Sequence, residues 1–187
     1  ERVAKRWGIT RQMQDEFAFG SQQKAAAAQA AKRFDAEIVP IAVERAKWTG
    51  AKKTSETVMF ATDEMVRAAT TMEGLAKLPP AFKPGGTVTA GNASPLSDGA
   101  AGVLLMSRAK AEELGLKPLA TSVTFATAGV EPDVMGIGPV AAVPKALARA
   151  GVKLDDVKLI ELNEAFAAQG LAVMKDLGMD ASRTNVN

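Results

Sequence analysis

Asn163-Glu164-Ala165-Phe166-Ala167-Ala168-Gln169 is the stretch whose residue types and spacing best suit chemistry. It reads as a strand end turning into a helix, with a polar side chain at the junction. Such junctions are where α/β enzymes place reacting groups. An amide at that point can donate a hydrogen bond without titrating. Yet the chain has no cysteine and no histidine, the commonest side chains for nucleophilic and acid–base work.

The elements that must position such a junction fit an ordinary globular composition. The chain has 187 residues, enough for one domain or two small ones, and 47% of them are apolar. Alanine is abundant and aromatics make up only 5%, which favours helices packed closely on a sheet. A net charge of +2, with acids and bases interspersed, gives no electrostatic stripe for nucleic acid. No apolar run is long enough to span a bilayer. Without cysteine there is no disulfide framework, and without cysteine or histidine a structural zinc site has no ligands to build on. A cytoplasmic location is expected. Both ends read as cut: Glu1 opens inside an amphipathic pattern, and Thr184-Asn185-Val186-Asn187 stops at what looks like a strand start.

Glu1 to Trp7 reads as a helix stopped by Gly8, and Thr10 as the N-cap of a second helix from about Arg11 to Lys32. Ile38 to Val43 reads as a strand, interrupted or at an edge because Pro40 lacks an N–H. The charged stretch from Glu44 to Thr57 reads as a surface excursion. A short helix over Met72 to Leu78 ends at Pro79-Pro80. Thr87 to Ala101, rich in Gly, Ala, Ser, Asn and Thr, suits close approach of backbone to something bulky. Then come a buried strand at Val103 to Met106 and a helix capped by Ser107 and ending at Gly115. A strand at Ser122 to Ala126 and a helix from Pro139 to Ala150 with Gly151 as its stop follow. Last are a strand at Leu159 to Leu162 and a helix from Glu164 to Leu177 stopped by Gly178. Strands alternating with helices from Val103 onward imply right-handed crossovers and a sheet covered on both faces.

Four stretches, in order and with family-like spacing, resemble the thiolase family of acyl-CoA acyltransferases. They are Leu75 to Phe82, Gly86 to Ser94 (extended by Ser97-Asp98-Gly99-Ala100-Ala101), Val134 to Pro139, and Asn163 to Gln169. The charged stretch from Arg45 to Met59 matches least. The resemblance implies an α/β fold of two facing βαβαβ halves with a coenzyme A-binding loop domain inserted in the first, only partly covered by this chain. Residues 1–93 then look like the later part of the loop domain, 94–116 like the end of the N-terminal half, and 117–187 like the start of the C-terminal half. In thiolases the nucleophilic cysteine lies upstream of this stretch. The active-site histidine follows a Gly-Gly motif expected just after Asn187, and a second cysteine lies further downstream.

What the resemblance implies for individual residues stands beside plainer readings of them. Asn163 matches the family's asparagine that holds a water, which joins the histidine in an oxyanion hole. As a favoured cap residue it could instead cap a helix starting at Glu164, and the two roles can coexist. Ser94 matches a serine that hydrogen-bonds an amide of the pantetheine arm. By type alone it is a turn residue, and no base beside it suggests a nucleophile. Phe82 and Ala90 resemble positions lining the coenzyme A channel, although Phe82 read alone is core packing. Arg67 resembles an arginine lying against the adenine and near the phosphates, and read alone is a solvated helix charge. Met135, Ala165 and Phe166 resemble residues around the acyl group and the pantetheine end. Gly136-Ile137-Gly138 lacks the third glycine and the preceding strand of a dinucleotide loop, and Asp155-Asp156 reads as a helix start, not a metal site.

The activity so implied is acyl-CoA C-acyl transfer: Claisen condensation of acyl-CoA or thiolytic cleavage of a 3-ketoacyl-CoA. Coenzyme A is a substrate, no metal or redox cofactor is implied, and a homodimer or homotetramer is expected. The 187 residues alone are expected to be inactive, since no side chain offers a thiolate-like nucleophile. The competing reading is a non-catalytic thiolase-like module that binds acyl-CoA or lipid or serves as a subunit. Pro95, beside Ser94, departs from the small or flexible residue common in the family. A decarboxylating ketoacyl synthase relative would use two histidines, and the asparagine-led motif at 163 argues against it.

Overall fold

The computed structural model describes residues 1–187. Its regular elements are α1 (Arg2–Trp7), α2 (Arg11–Ala30), β1 (Ile41–Thr49), β2 (Lys52–Phe60), α3 (Met72–Ala76), α4 (Arg108–Glu113), α5 (Gly138–Ala150) and α6 (Ala167–Leu177). Short 3-10 turns cover Pro132–Ile137, Leu154–Asp156 and Ala181–Arg183.

The helices form where local chemistry favours them. Thr10 is extended and its hydroxyl accepts the Met13 N–H at 3.2 Å, which starts α2. Thr71 and Ser107 cap α3 and α4 in the same way. The stops expected at Gly8, Gly151 and Gly178 all occur, each in the left-handed region.

The core sits around α6. Helices α1, α2 and α5 and the 3-10 turn at Pro132–Ile137 all pack on it. Its inward positions are small: Ala167, Ala168, Gly170, Ala172 and Val173 are buried. Small side chains let neighbouring helices come close. A Cβ on Gly170 would stand 3.2 Å from the Phe17 ring of α2, so the glycine makes room for that contact. Ala4, Ile9 and Ala168 form a small cluster, closed by Trp7 and Leu171.

The strand expectations fare differently from the helices. The charged stretch expected as a surface excursion is an exposed β-hairpin, with Ile41 paired to Phe60 and Thr49 to Lys52. Gly50, at φ 63, provides the left-handed backbone of its two-residue turn. Nearly every hairpin residue is exposed, so there is no buried face to print an apolar alternation in the sequence. The expected strands at 103–106 and 122–126 form no ladder. Val103, Leu104 and Leu105 are 81%, 78% and 82% exposed, so they are not the buried strand their composition suggests. No other strand of the chain lies beside these segments to complete a ladder. At 159–162 one element of pairing exists: Ile160 makes a parallel bridge to Thr184. The helix expected from Glu164 begins at Ala167 instead. No helix is long and apolar enough to cross a membrane.

Candidate functional site

Phe166, just before α6, is extended because it pairs with another segment. Ala93 and Phe166 form an antiparallel bridge. The Ser94 N–H donates to the Ala165 carbonyl at 3.0 Å, and the Ala167 N–H donates to the Asn92 carbonyl at 2.9 Å. This short ladder joins two of the stretches singled out in the sequence. It also corrects the capping alternative for Asn163: Phe166 occupies the N-cap position of α6, with no side-chain cap. Asn163 lies upstream, outside any regular element, and is exposed.

A buried polar network fixes the Asn92 side of the ladder. Asp15 is 2% exposed. Its carboxylate accepts from Arg11 Nε at 2.7 Å and from Asn92 Nδ2 at 2.9 Å. Asn92 Oδ1 takes the Thr89 N–H at 2.8 Å, and Arg11 Nη2 reaches the Leu75 and Leu78 carbonyls. The paired charges are thus neutralised and hydrogen-bonded, the condition under which burial is tolerable. Gly91 admits Leu75 and Leu78 directly: a Cβ there would meet both side chains at 2.6 Å. The Gly/Asn/Ser-rich composition around residue 90 therefore serves close approach, as its sequence suggests, but to this chain's own helix α3 region.

Two cavities adjoin the ladder. The larger, of about 1050 Å³, is lined by Phe82, Met135, Ala165 and Phe166, with Ile9 and Val88. Phe82 and Phe166 meet edge to face, ring centres 6.0 Å apart, an arrangement the ring quadrupoles favour. Phe82 is 66% exposed and Met135 77%, so neither is the core packing residue that Phe82 suggests by type. The smaller cavity, of about 220 Å³, is lined by Ser94, Pro95, Asn163, Glu164, Ser21 and Gln22 among others. It is polar where the first is aromatic and apolar. Ala165 and Phe166 face the large cavity, while Ala93, Ser94 and Ala167 face the small one. The ladder is a wall common to both.

Six of the eight residues singled out from the sequence therefore converge on these cavities. Arg67 and Ala90 do not line either. Arg67 is exposed, and its N–H donates to Gln22 Oε1 at 2.7 Å, which places its backbone beside the small cavity's rim.

Other polar groups at the site carried no signal in the sequence. Glu1 lines the large cavity and receives the Thr87 and Val88 N–H groups at about 3.0 Å. Burial pushes its carboxyl up from the ordinary 4.5, but the hydrogen bonds from Val88 and Thr87 outweigh it and hold it below that value. Gln169, 6% exposed, also lines the large cavity, and its Oε1 has no hydrogen-bond partner.

Residues 1–109 match the family described as thiolase, N-terminal domain, and residues 116–187 match thiolase, C-terminal domain. The chain belongs to the thiolase family. It is 55% identical over its full length to an acetyl-CoA acetyltransferase of Cupriavidus necator, covering 46% of that protein. It is 54% identical over 99% of its length to a peroxisomal 3-ketoacyl-CoA thiolase A of Mus musculus, covering 43% of it. Among solved structures, the Bacillus anthracis acetyl-CoA acetyltransferase superposes with a TM-score of 0.89 at 47% identity, over 98% of this chain and 45% of that one. Human mitochondrial 3-ketoacyl-CoA thiolase gives 0.83 at 43% identity, over 99% of this chain and 44% of the other. The fold is thus a partial thiolase fold, and the chain spans less than half the length of the relatives it matches.

Proposed function

We propose that the native protein carrying this chain is a thiolase-type acyl-CoA C-acyltransferase. It would condense acyl-CoA units or cleave a 3-ketoacyl-CoA with coenzyme A. The observation that carries the reading is the convergence of Asn163 and Ser94 on one small polar cavity, separated only by a backbone ladder from the aromatic cavity of Phe82, Met135, Ala165 and Phe166. Relatives named for the same reaction class support it.

In this reading Asn163 supplies an amide donor, through a held water, to the thioester oxygen as it gains negative charge. A preorganised donor there acts where charge develops. Ser94 holds a pantetheine amide, Ala90 and Phe82 line the coenzyme A channel, and Arg67 lies against the adenine and phosphates. Met135, Ala165 and Phe166 surround the acyl group. The domain division at 1–93, 94–116 and 117–187 belongs to the same reading, as do coenzyme A as substrate with no metal or redox cofactor, a homo-oligomer, and a cytoplasmic location.

The test is loss of acetoacetyl-CoA in the presence of coenzyme A, measured for the native protein and for the 187 residues alone. Turnover by the native protein and none by the isolated chain is the expected pair of results. Binding of coenzyme A by the native protein without turnover would favour the non-catalytic module. Turnover by the isolated chain would show that the missing thiolate is not required.

A further inference from the structure

Asn163 is exposed, yet the backbone of Leu162 before it and the side chain of Glu164 after it are both held by hydrogen bonds. Asn185 is 8% exposed. Its Oδ1 accepts the Leu162 N–H at 2.7 Å, and its Nδ2 donates to the Leu162 carbonyl at 2.8 Å. One carboxamide therefore satisfies both polar groups of the residue before Asn163, as a paired strand would. The same Nδ2 donates to Glu164 Oε1 at 2.7 Å. The other oxygen of Glu164, the residue after Asn163, accepts from Ser21 Oγ at 2.5 Å. Ser21 belongs to α2, and one turn further along that helix Lys24 Nζ donates to the Asn185 carbonyl. Asn185 itself sits at φ 49, a left-handed conformation that Asn and Asp tolerate better than other side chains.

We propose that Asn185, acting with Ser21 through Glu164, is a positioning residue that fixes the direction in which Asn163 points into the small polar cavity. The proposal rests on the reading of Asn163 as an oxyanion donor. Neither Asn185 nor Ser21 reaches the reacting atoms; each acts on the backbone and side chain that flank the donor. A donor must stand within hydrogen-bond reach of the charge as it forms, and small misplacements are expensive. An exposed side chain outside any regular element has little of its own to hold it. Clamping both neighbours supplies what it lacks.

The arrangement allows a swap test in the native protein, read by steady-state cleavage of acetoacetyl-CoA per folded enzyme. Asn185→Asp keeps the left-handed backbone and the acceptor for the Leu162 N–H. It removes the donor and sets a carboxylate against Glu164. The expected result is a fall in kcat of roughly 10- to 100-fold, the scale of a small misplacement, with KM for coenzyme A unchanged. Adding Glu164→Gln returns a donor between the two side chains, though not to the Leu162 carbonyl, and kcat is expected to recover in part. A role in stability alone would lower the melting temperature and leave kcat per folded enzyme intact. That result would overturn the proposal, as would an equal fall in both constants or no recovery in the double variant. Should Asn185→Asp not fold, Ser21→Ala carries the test: a fall in kcat at constant KM supports the clamp, and an unchanged kcat overturns it. Asn163→Ala separates the two levels. If it loses kcat while the clamp variants keep theirs, only the clamp is wrong. If it keeps full kcat, the reading of the site falls, and the clamp with it.

Discussion

Val103-Leu104-Leu105 and Ala168, Ala172 and Val173 of α6 are both apolar, and they meet opposite environments. The first three are about four-fifths exposed, whereas the α6 residues are 2%, 0% and 0% exposed. Hydrophobicity is greater in the exposed set. The difference lies in what faces them. Helix α6 has α1 and α2 against small side chains, so the surfaces interlock. The 103–105 run has no strand beside it. Burial needs a partner surface as well as an apolar side chain. The buried region is also where the polar groups are best satisfied: Asp15, Asn92 and Asn185 are each held by two or more hydrogen bonds.

The sharpest way to break this contrast is to unpair the buried region. Asp15→Ala strands Arg11 and the Asn92 amide, and should cost about 3 kcal/mol in a urea titration, the lower part of the range for breaking a buried pair. Arg11 retains 25% side-chain exposure, which is why the lower part applies. A midpoint unchanged by Asp15→Ala would mean the network is ornamental. Val173→Ala comes next: deleting two methyl groups at a fully buried position should cost about 2 kcal/mol. Leu104→Ala, a larger truncation on paper, should stay within about 0.5 kcal/mol in this chain, because the side chain is already in water. Equal effects at 173 and 104 would erase the distinction between the two regions.

The smallest effect is a pH dependence. Glu1 is held below its ordinary 4.5 in the folded chain. A depressed carboxyl contributes stability that is present above the unfolded value and is lost as pH falls through the folded one. Glu1→Gln should therefore lower the melting temperature slightly at neutral pH, flatten its loss below pH 4.5 and converge with the parent in acid. An unchanged acid limb would show that its bonds to Thr87 and Val88 contribute nothing.

Helices were legible because each carries local signals: Thr10 and Ser107 as caps, Gly8, Gly151 and Gly178 as stops. The hairpin at 41–60 was not, since both its faces meet water and charged residues such as Arg45 and Glu56 pair across it. The strand readings at 103–106 and 122–126 took composition as proof of pairing, which depends on neighbours this chain does not contain. At the site, the motif stretches named the surfaces that meet. The start of α6 was misplaced by three residues because the ladder from Asn92 to Ser94 keeps Phe166 extended and holds Ala165 out of the helix, a long-range contact with no local mark. Asp15, Ser21 and Asn185 stayed hidden for the same reason. Their types are common on surfaces, and only the fold brings them beneath Asn92 and Asn163.

The most direct test is kcat of the native protein for coenzyme A-dependent cleavage of acetoacetyl-CoA, with and without Asn163→Ala. Loss of an oxyanion donor should lower kcat by roughly 10²- to 10³-fold with the melting temperature unchanged. A variant that turns over as fast as the parent would contradict the assignment of the small cavity as the place where charge develops.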